Sequence, residues 1–159
     1  MAPVNERDLD WSTVEGAETA FKRKQLGAAA GGEQLGCSLY ELPSGERSWP
    51  YHHHTANEEA LYVLSGEGTL RLDGDEHDLA AGDYATFPAN DSGAHRVVND
   101  TDEPLRYLLF STMTEPDVIA YPDLETIGVF AGSPPGGDGE RAIEGYYELD
   151  ETVDYWTGE

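Results

Sequence analysis

Residues 52–66 read His52-His53-His54-Thr55-Ala56-Asn57-Glu58-Glu59-Ala60-Leu61-Tyr62-Val63-Leu64-Ser65-Gly66. Side chains alternate between the faces of an extended chain, so His52 and His54 share one face and His53 takes the other. After a short bend at Thr55 to Glu58, Tyr62 and Val63 restore strand character. Counting by twos then puts Leu61 and Val63 on the face of Glu59. Downstream, Gly82-Asp83 marks a turn, Tyr84 to Phe87 reads as a strand, and Pro88 ends it. His95, Val97 and Asn99 alternate against Arg96 and Val98. Three imidazoles and a carboxylate form the ligand set that suits a borderline divalent transition metal such as Mn, Fe, Co, Ni, Cu or Zn. The expected ligands are His52, His54, Glu59 and His95, with His53 pointing away. The plainer alternative is a solvated His-rich turn before an ordinary strand, with His95 a satisfied core residue.

Strand-like runs recur at Leu35 to Leu42, Ala60 to Ser65, Thr69 to Leu72, Glu76 to Leu79, Tyr84 to Phe87, His95 to Asn99 and Leu105 to Ser111. Turn residues separate them, with Asp73-Gly74 a tight-hairpin signal. No long segment has helical periodicity. Short strands at roughly ten-residue intervals predict an all-β sandwich or barrel.

These residues resemble the two motifs of the cupin superfamily. The first motif, G-x5-H-x-H-x3,4-E-x6-G, is matched by His52, His54, Glu59 and Gly66, with Gly45 one residue early as the leading glycine. The second, G-x5-P-x-G-x2-H-x3-N, is matched by Gly82, Pro88, His95 and Asn99. There the chain departs: Asn90 stands where glycine is expected, and the stretch from Pro88 to His95 is two residues longer. The resemblance implies a cupin jelly-roll barrel (a double-stranded β-helix) over residues 35–112. It implies one divalent metal held by His52, His54, Glu59 and His95. An N-terminal arm, residues 1–34, and a C-terminal extension packed on the barrel, residues 113–159, flank it as irregular segments of a single domain. In cupins the same ligand set serves sugar-phosphate isomerases, dioxygenases and decarboxylases, so the expected function is a metal-dependent enzyme acting on a small polar metabolite. The alternative is a non-catalytic cupin that binds a small ligand or metal. Tyr40, Tyr84 and Arg96 are candidate pocket-lining residues.

The chain has 32 acidic against nine basic residues, a formal charge of −23 in 159 residues. Such a charge repels nucleic acid and anionic membranes, which excludes both as expected partners. The acids are dispersed and only Lys22 and Lys24 are lysines, a pattern that resembles proteins of salt-in halophiles. Three Trp, nine Tyr and four Phe argue against a disordered acidic chain. With no apolar span and no signal-peptide character at Met1 to Arg7, the expected location is cytoplasmic. Cys37 is the only cysteine, which excludes an intrachain disulfide, and is read as a buried small hydrophobe. Two sequons, at Asn90 and Asn99, are read as chance. Lys22-Arg23-Lys24 is read as local charge balance. The run Phe21 to Leu26, tethered by a flexible Gly27 to Gly32, is expected to pair with the barrel edge of a second subunit in a homodimer. The tail from Tyr146-Tyr147 to Tyr155-Trp156 reads as an aromatic strap on the barrel or, more sharply, a lid over its mouth.

Overall fold

The structure, a computed structural model, describes residues 2–158. Its strands are β1 (Ser12–Gly16), β2 (Thr19–Gln25), β3 (Leu35–Leu42), β4 (His53–His54), β5 (Glu59–Ser65), β6 (Glu67–Leu72), β7 (Asp75–Ala80), β8 (Tyr84–Phe87), β9 (His95–Val98), β10 (Leu105–Thr112), β11 (Asp117–Tyr121), β12 (Thr126–Ala131) and β13 (Ile143–Glu148). One short helix, α1 (Leu26–Ala29), follows β2. Asp73 and Gly74 both adopt positive φ, 49° and 85°, which matches the right-handed twist of β6 and β7 and closes them into a hairpin.

Every strand pair is antiparallel. The largest sheet runs β1-β2-β3-β10-β5-β8; a second runs β13-β12-β11-β4 and a third β7-β6-β9. Two isolated bridges, Arg47 with Val98 and His52 with His95, tie the chain before β4 to the third sheet. The sheets close around a core of Phe21, Tyr40, Leu42, Leu61, Val63, Leu70, Leu79, Phe87, Val97, Leu105 and Tyr107. Leu61 and Val63 lie inside and Tyr62 and Leu64 outside, as the alternation from Glu59 requires. The all-β barrel expected from the strand spacing is present.

The flanks are regular strands rather than irregular segments. The segment expected to reach a second subunit folds back on its own chain: β2 pairs with β3 in the register Lys22–Glu41 to Gln25–Ser38. Phe21 explains this, because its ring is buried against Tyr40 and Trp49 at 5.0 Å from each. Lys24 is buried on the opposite face, its ammonium 4.5 Å over the Trp11 ring and 3.0 Å from Glu6. The glycine stretch is no loose tether either. A Cβ on Gly27 would stand 2.8 Å from the Cys37 backbone nitrogen, so α1 packs directly on β3. At the other end of the chain, β11 pairs with β4 and carries β12 and β13 beside it. No helix among the described residues is long and apolar enough to cross a membrane.

Candidate functional site

The strand parity that buries Leu61 and Val63 also turns Glu59 inward, while β4 and the bridge before it turn His52 and His54 the same way. All three are buried, and so is His95 at the start of β9; His53 is half-exposed on the other face. His52, His54 and Glu59 meet at one point, and His95 lies outside that group of three but against the same carboxylate. The ligating atoms of His52, His54 and Glu59 lie within 4.8 Å of one another. Measured to Glu59 Oε2, the Nε2 atoms of His52, His54 and His95 stand at 4.0, 3.3 and 3.4 Å.

What orients these rings is on their far side. His52 Nδ1 donates to the Pro50 carbonyl at 2.7 Å and His95 Nδ1 to the Gly93 carbonyl at 2.9 Å. A carbonyl only accepts, so in the neutral rings the proton sits on Nδ1 and the lone pair on Nε2 faces Glu59. His54 Nδ1 donates to Asp117 Oδ2 at 2.6 Å. Asp117 is fully buried and also accepts from Asn57 Nδ2 and from the Thr55 and Ala56 backbone N–H groups. Phe87 stacks flat on the His95 ring at 3.7 Å and fixes its plane.

The departure from the second motif has a local explanation. Asn90 caps a 3-10 turn at Asp91–Gly93, its side chain accepting from the Ser92 N–H. A Cβ on Gly93 would collide with the Pro88 carbonyl oxygen. The glycine required in this loop therefore stands at Gly93, and its carbonyl is the one that holds His95.

Electrostatics divides the cluster. Burial, with the nearby His95, pushes His52 down to about 3, and burial lowers His95 as well. Burial works the same way on His54, but the Asp117 and Glu59 carboxylates on its two sides outweigh it and raise it to about 9. Burial would raise Glu59, yet the His54 ring beside it, with Nε2 3.3 Å from Oε2, brings it down to about 2. The site thus holds an ionised carboxylate, two neutral imidazoles and one ring that carries a proton. Glu59 Oε2 is buried without a hydrogen-bond partner. An orphaned carboxylate oxygen facing the lone pairs of His52 and His95, with His54 able to add a third on losing its proton, is the environment a divalent cation satisfies, so the donor set fits such an ion.

The cluster opens into a cavity of about 730 Å³. Its inner wall includes Tyr40, Trp49, His52, His54 and Glu59; Ile119, Tyr121, Phe130 and Tyr146 come from β11 to β13, and Arg23 and Gln25 from β2. Tyr146 forms part of the wall at its outer side, 6.2 Å between ring centroids from Tyr121; it is exposed, as are Tyr147, Tyr155 and Trp156, which take no part in the wall. Burial raises the Tyr121 hydroxyl, which keeps its proton, and its ring lies 5.9 Å from that of His52. Of the three lining residues expected, only Tyr40 lines the cavity. Tyr84 is 64% exposed on the outside of β8, and Arg96 turns away to donate to the Glu18 carbonyl at 2.8 Å. Sequence reading missed Asp117 and gave Arg23 no part in the site. Asp117 lies 63 positions from His54, beyond any local motif. Arg23 was traceable by parity, since Phe21, Arg23 and Gln25 alternate on one face of β2.

Comparisons with known proteins agree with this fold. The family model described as Cupin domain matches residues 38–111. Quercetin 2,3-dioxygenase of Bacillus subtilis (strain 168) is 32% identical over 99 residues, covering 60% of this chain. The chain spans only 29% of that relative's length. Among solved structures, a candidate sugar phosphate isomerase from Acidithiobacillus ferrooxidans superposes with a TM-score of 0.81 at 26% identity, over 95% of this chain and 94% of its own. A sugar phosphate isomerase from a cupin superfamily, from Silicibacter pomeroyi, gives 0.79 at 27% identity, over 94% of each chain.

Proposed function

Residues 38–111 form a cupin domain, and on that premise we propose that this chain is a metal-dependent enzyme acting on a small polar metabolite, with sugar-phosphate isomerisation the reaction best supported. The observation that carries the reading is the convergence of three imidazole Nε2 atoms on a buried carboxylate at the inner end of an open cavity. His52, His54, Glu59 and His95 would hold one divalent transition metal. Such an ion, when bound, acts as a Lewis acid on a substrate oxygen. Around it the protein supplies orientation: Tyr40 and Trp49 wall the chamber on one side, and the Tyr121 hydroxyl is a proton-bearing donor on the other. At about 730 Å³ the cavity fits a metabolite rather than a polymer.

The choice among cupin chemistries rests on where the cavity walls come from. Arg23, Gln25, Tyr121, Phe130 and Tyr146 all lie outside residues 38–111. The likeness to the two isomerase structures covers 94–95% of the chain, and so extends well beyond residues 38–111. The likeness to the dioxygenase covers 60%. Dioxygenase-like chemistry is accordingly the second reading. The proposal extends to a homodimer in the cytoplasm: β1 and β8 stand at the two ends of the large sheet, and such edges are commonly covered.

The test is a screen of aldose and ketose phosphates by NMR with metal-free protein reloaded with each candidate ion. Turnover that requires the ion and is lost in Glu59→Gln is expected. A fully metal-loaded protein that turns over nothing in this panel would refute the isomerase reading.

A further inference from the structure

We infer that the substrate of this cavity is an anion, and that Arg23 is the residue that binds its phosphate or carboxylate group. The inference deepens the proposed function and rests on reading the cavity as a substrate chamber. It starts from charge. Of the nine basic residues, Lys22, Lys24, Arg47, Arg71, Arg96, Arg106 and Arg141 each lie within ion-pair distance of a carboxylate among the described residues. Arg7 is exposed on the surface. Arg23 is the remaining cation and has no such pair among the described residues, on a chain with 32 acidic groups to choose from.

Its position explains the difference. On β2 the alternation that plants Phe21 in the core carries Arg23 to the cavity wall, opposite Tyr40 in the β2–β3 register. There its guanidinium lies 5.8 Å over the Trp49 ring, and its Nε is buried with no hydrogen-bond partner. The second cavity arginine is already committed. Arg141 bonds both Glu144 oxygens at 3.1 Å and the Ser133 and Pro134 carbonyls at 3.1 and 2.9 Å. A guanidinium presents a planar fork of donors matched to two oxygens of a phosphate or carboxylate. Held against an indole, beside the Tyr40 hydroxyl and with its Nε unpartnered, Arg23 is preorganised for such a group. Its placement in the same chamber as His52, His54 and Glu59 lets one small molecule meet both ends.

The test uses the indole N–H signal of Trp49, which donates to the Tyr40 hydroxyl at 3.2 Å beside Arg23. Inorganic phosphate and, separately, acetate are titrated into zinc-loaded and metal-free protein, with the signal assigned through Trp49→Phe. A saturable shift is expected with at least one anion, with its Kd raised about tenfold or more in Arg23→Met. Arg23→Lys should fall between the two, since it keeps the charge and loses the fork. A shift with phosphate alone identifies a phosphorylated substrate, and with acetate alone a carboxylate. Absence of a saturable shift with both anions, or a Kd within twofold of wild type in a folded Arg23→Met, would overturn the inference. Because the signal reads in metal-free protein too, failure to bind metal counts against the proposed function alone.

Discussion

Asp117→Asn replaces one carboxylate oxygen with an NH₂ group and reaches the proposed metal through one ring. The wild-type carboxylate accepts four hydrogen bonds: Oδ2 from His54 Nδ1 at 2.6 Å and Asn57 Nδ2 at 2.9 Å, and Oδ1 from the backbone N–H groups of Ala56 at 2.9 Å and Thr55 at 3.3 Å. An amide keeps only one accepting oxygen. If its NH₂ faces the backbone, two buried N–H groups lose their acceptor. If it faces His54, the neutral ring that would bind metal must carry its proton on Nε2, and the lone pair a metal needs is lost. Leaving buried donors unsatisfied costs about 1–3 kcal/mol of stability. Loss of a carboxylate behind a ligating histidine lowers metal affinity roughly 10- to 100-fold, which is about 1.4–2.7 kcal/mol. Chelator competition gives the affinity and urea denaturation the stability. A folded Asp117→Asn protein that binds metal within twofold of wild type would refute the role of Asp117 in orienting His54.

Further outcomes follow from the same geometry. His53→Ala should leave metal affinity nearly intact, because the ring faces away; a loss comparable to His52→Ala, read by the same competition, would reverse the parity argument. Metal binding at pH 7 should release about one proton, since His54 at about 9 is protonated while His52 and His95 are not. Apparent affinity should therefore climb about tenfold per pH unit from 6 to 8 and level off above about 9, measured calorimetrically in buffers of different ionisation enthalpy. Gly93→Ala should destabilise the fold by about 1–3 kcal/mol, because the added methyl meets the Pro88 carbonyl. The melting temperature should rise steeply between 0.1 and 1 M salt, where the screening length falls from roughly 10 to 3 Å; a flat response would contradict a halophile origin for the −23 charge.

The sequence disclosed most where side-chain alternation and burial coincide. Leu35–Leu42 and Tyr84–Phe87 are strands at the expected bounds, and Glu59 shares its face with Leu61 and Val63. The four proposed ligands converge although β4 is only two residues long and His52 lies in an isolated bridge before it. Extended backbone, rather than a long ladder, was enough to preserve parity. The N-terminal hairpin was hidden for the opposite reason. Lys22-Arg23-Lys24 looks like a solvated run, yet Lys24 is buried through Trp11 and Glu6, and Arg23 faces the cavity. Those pairings join residues of distant or unpatterned segments. Asp117 is silent in the same way: its meaning depends on β11 pairing with β4, which places it behind His54. The aromatic C-terminal segment gave composition but no period, so its three-strand assembly beside the site was not foreseeable from alternation.

The central claim is that His52, His54, Glu59 and His95 form a metal centre. Metal analysis by mass spectrometry, on protein purified without chelators and beside a folded His52→Ala/His54→Ala double variant, tests it most directly. About one divalent transition metal per wild-type chain is expected, and essentially none in the variant. A wild-type chain without stoichiometric metal even after loading with each candidate ion, or a double variant that retains it, would contradict the account.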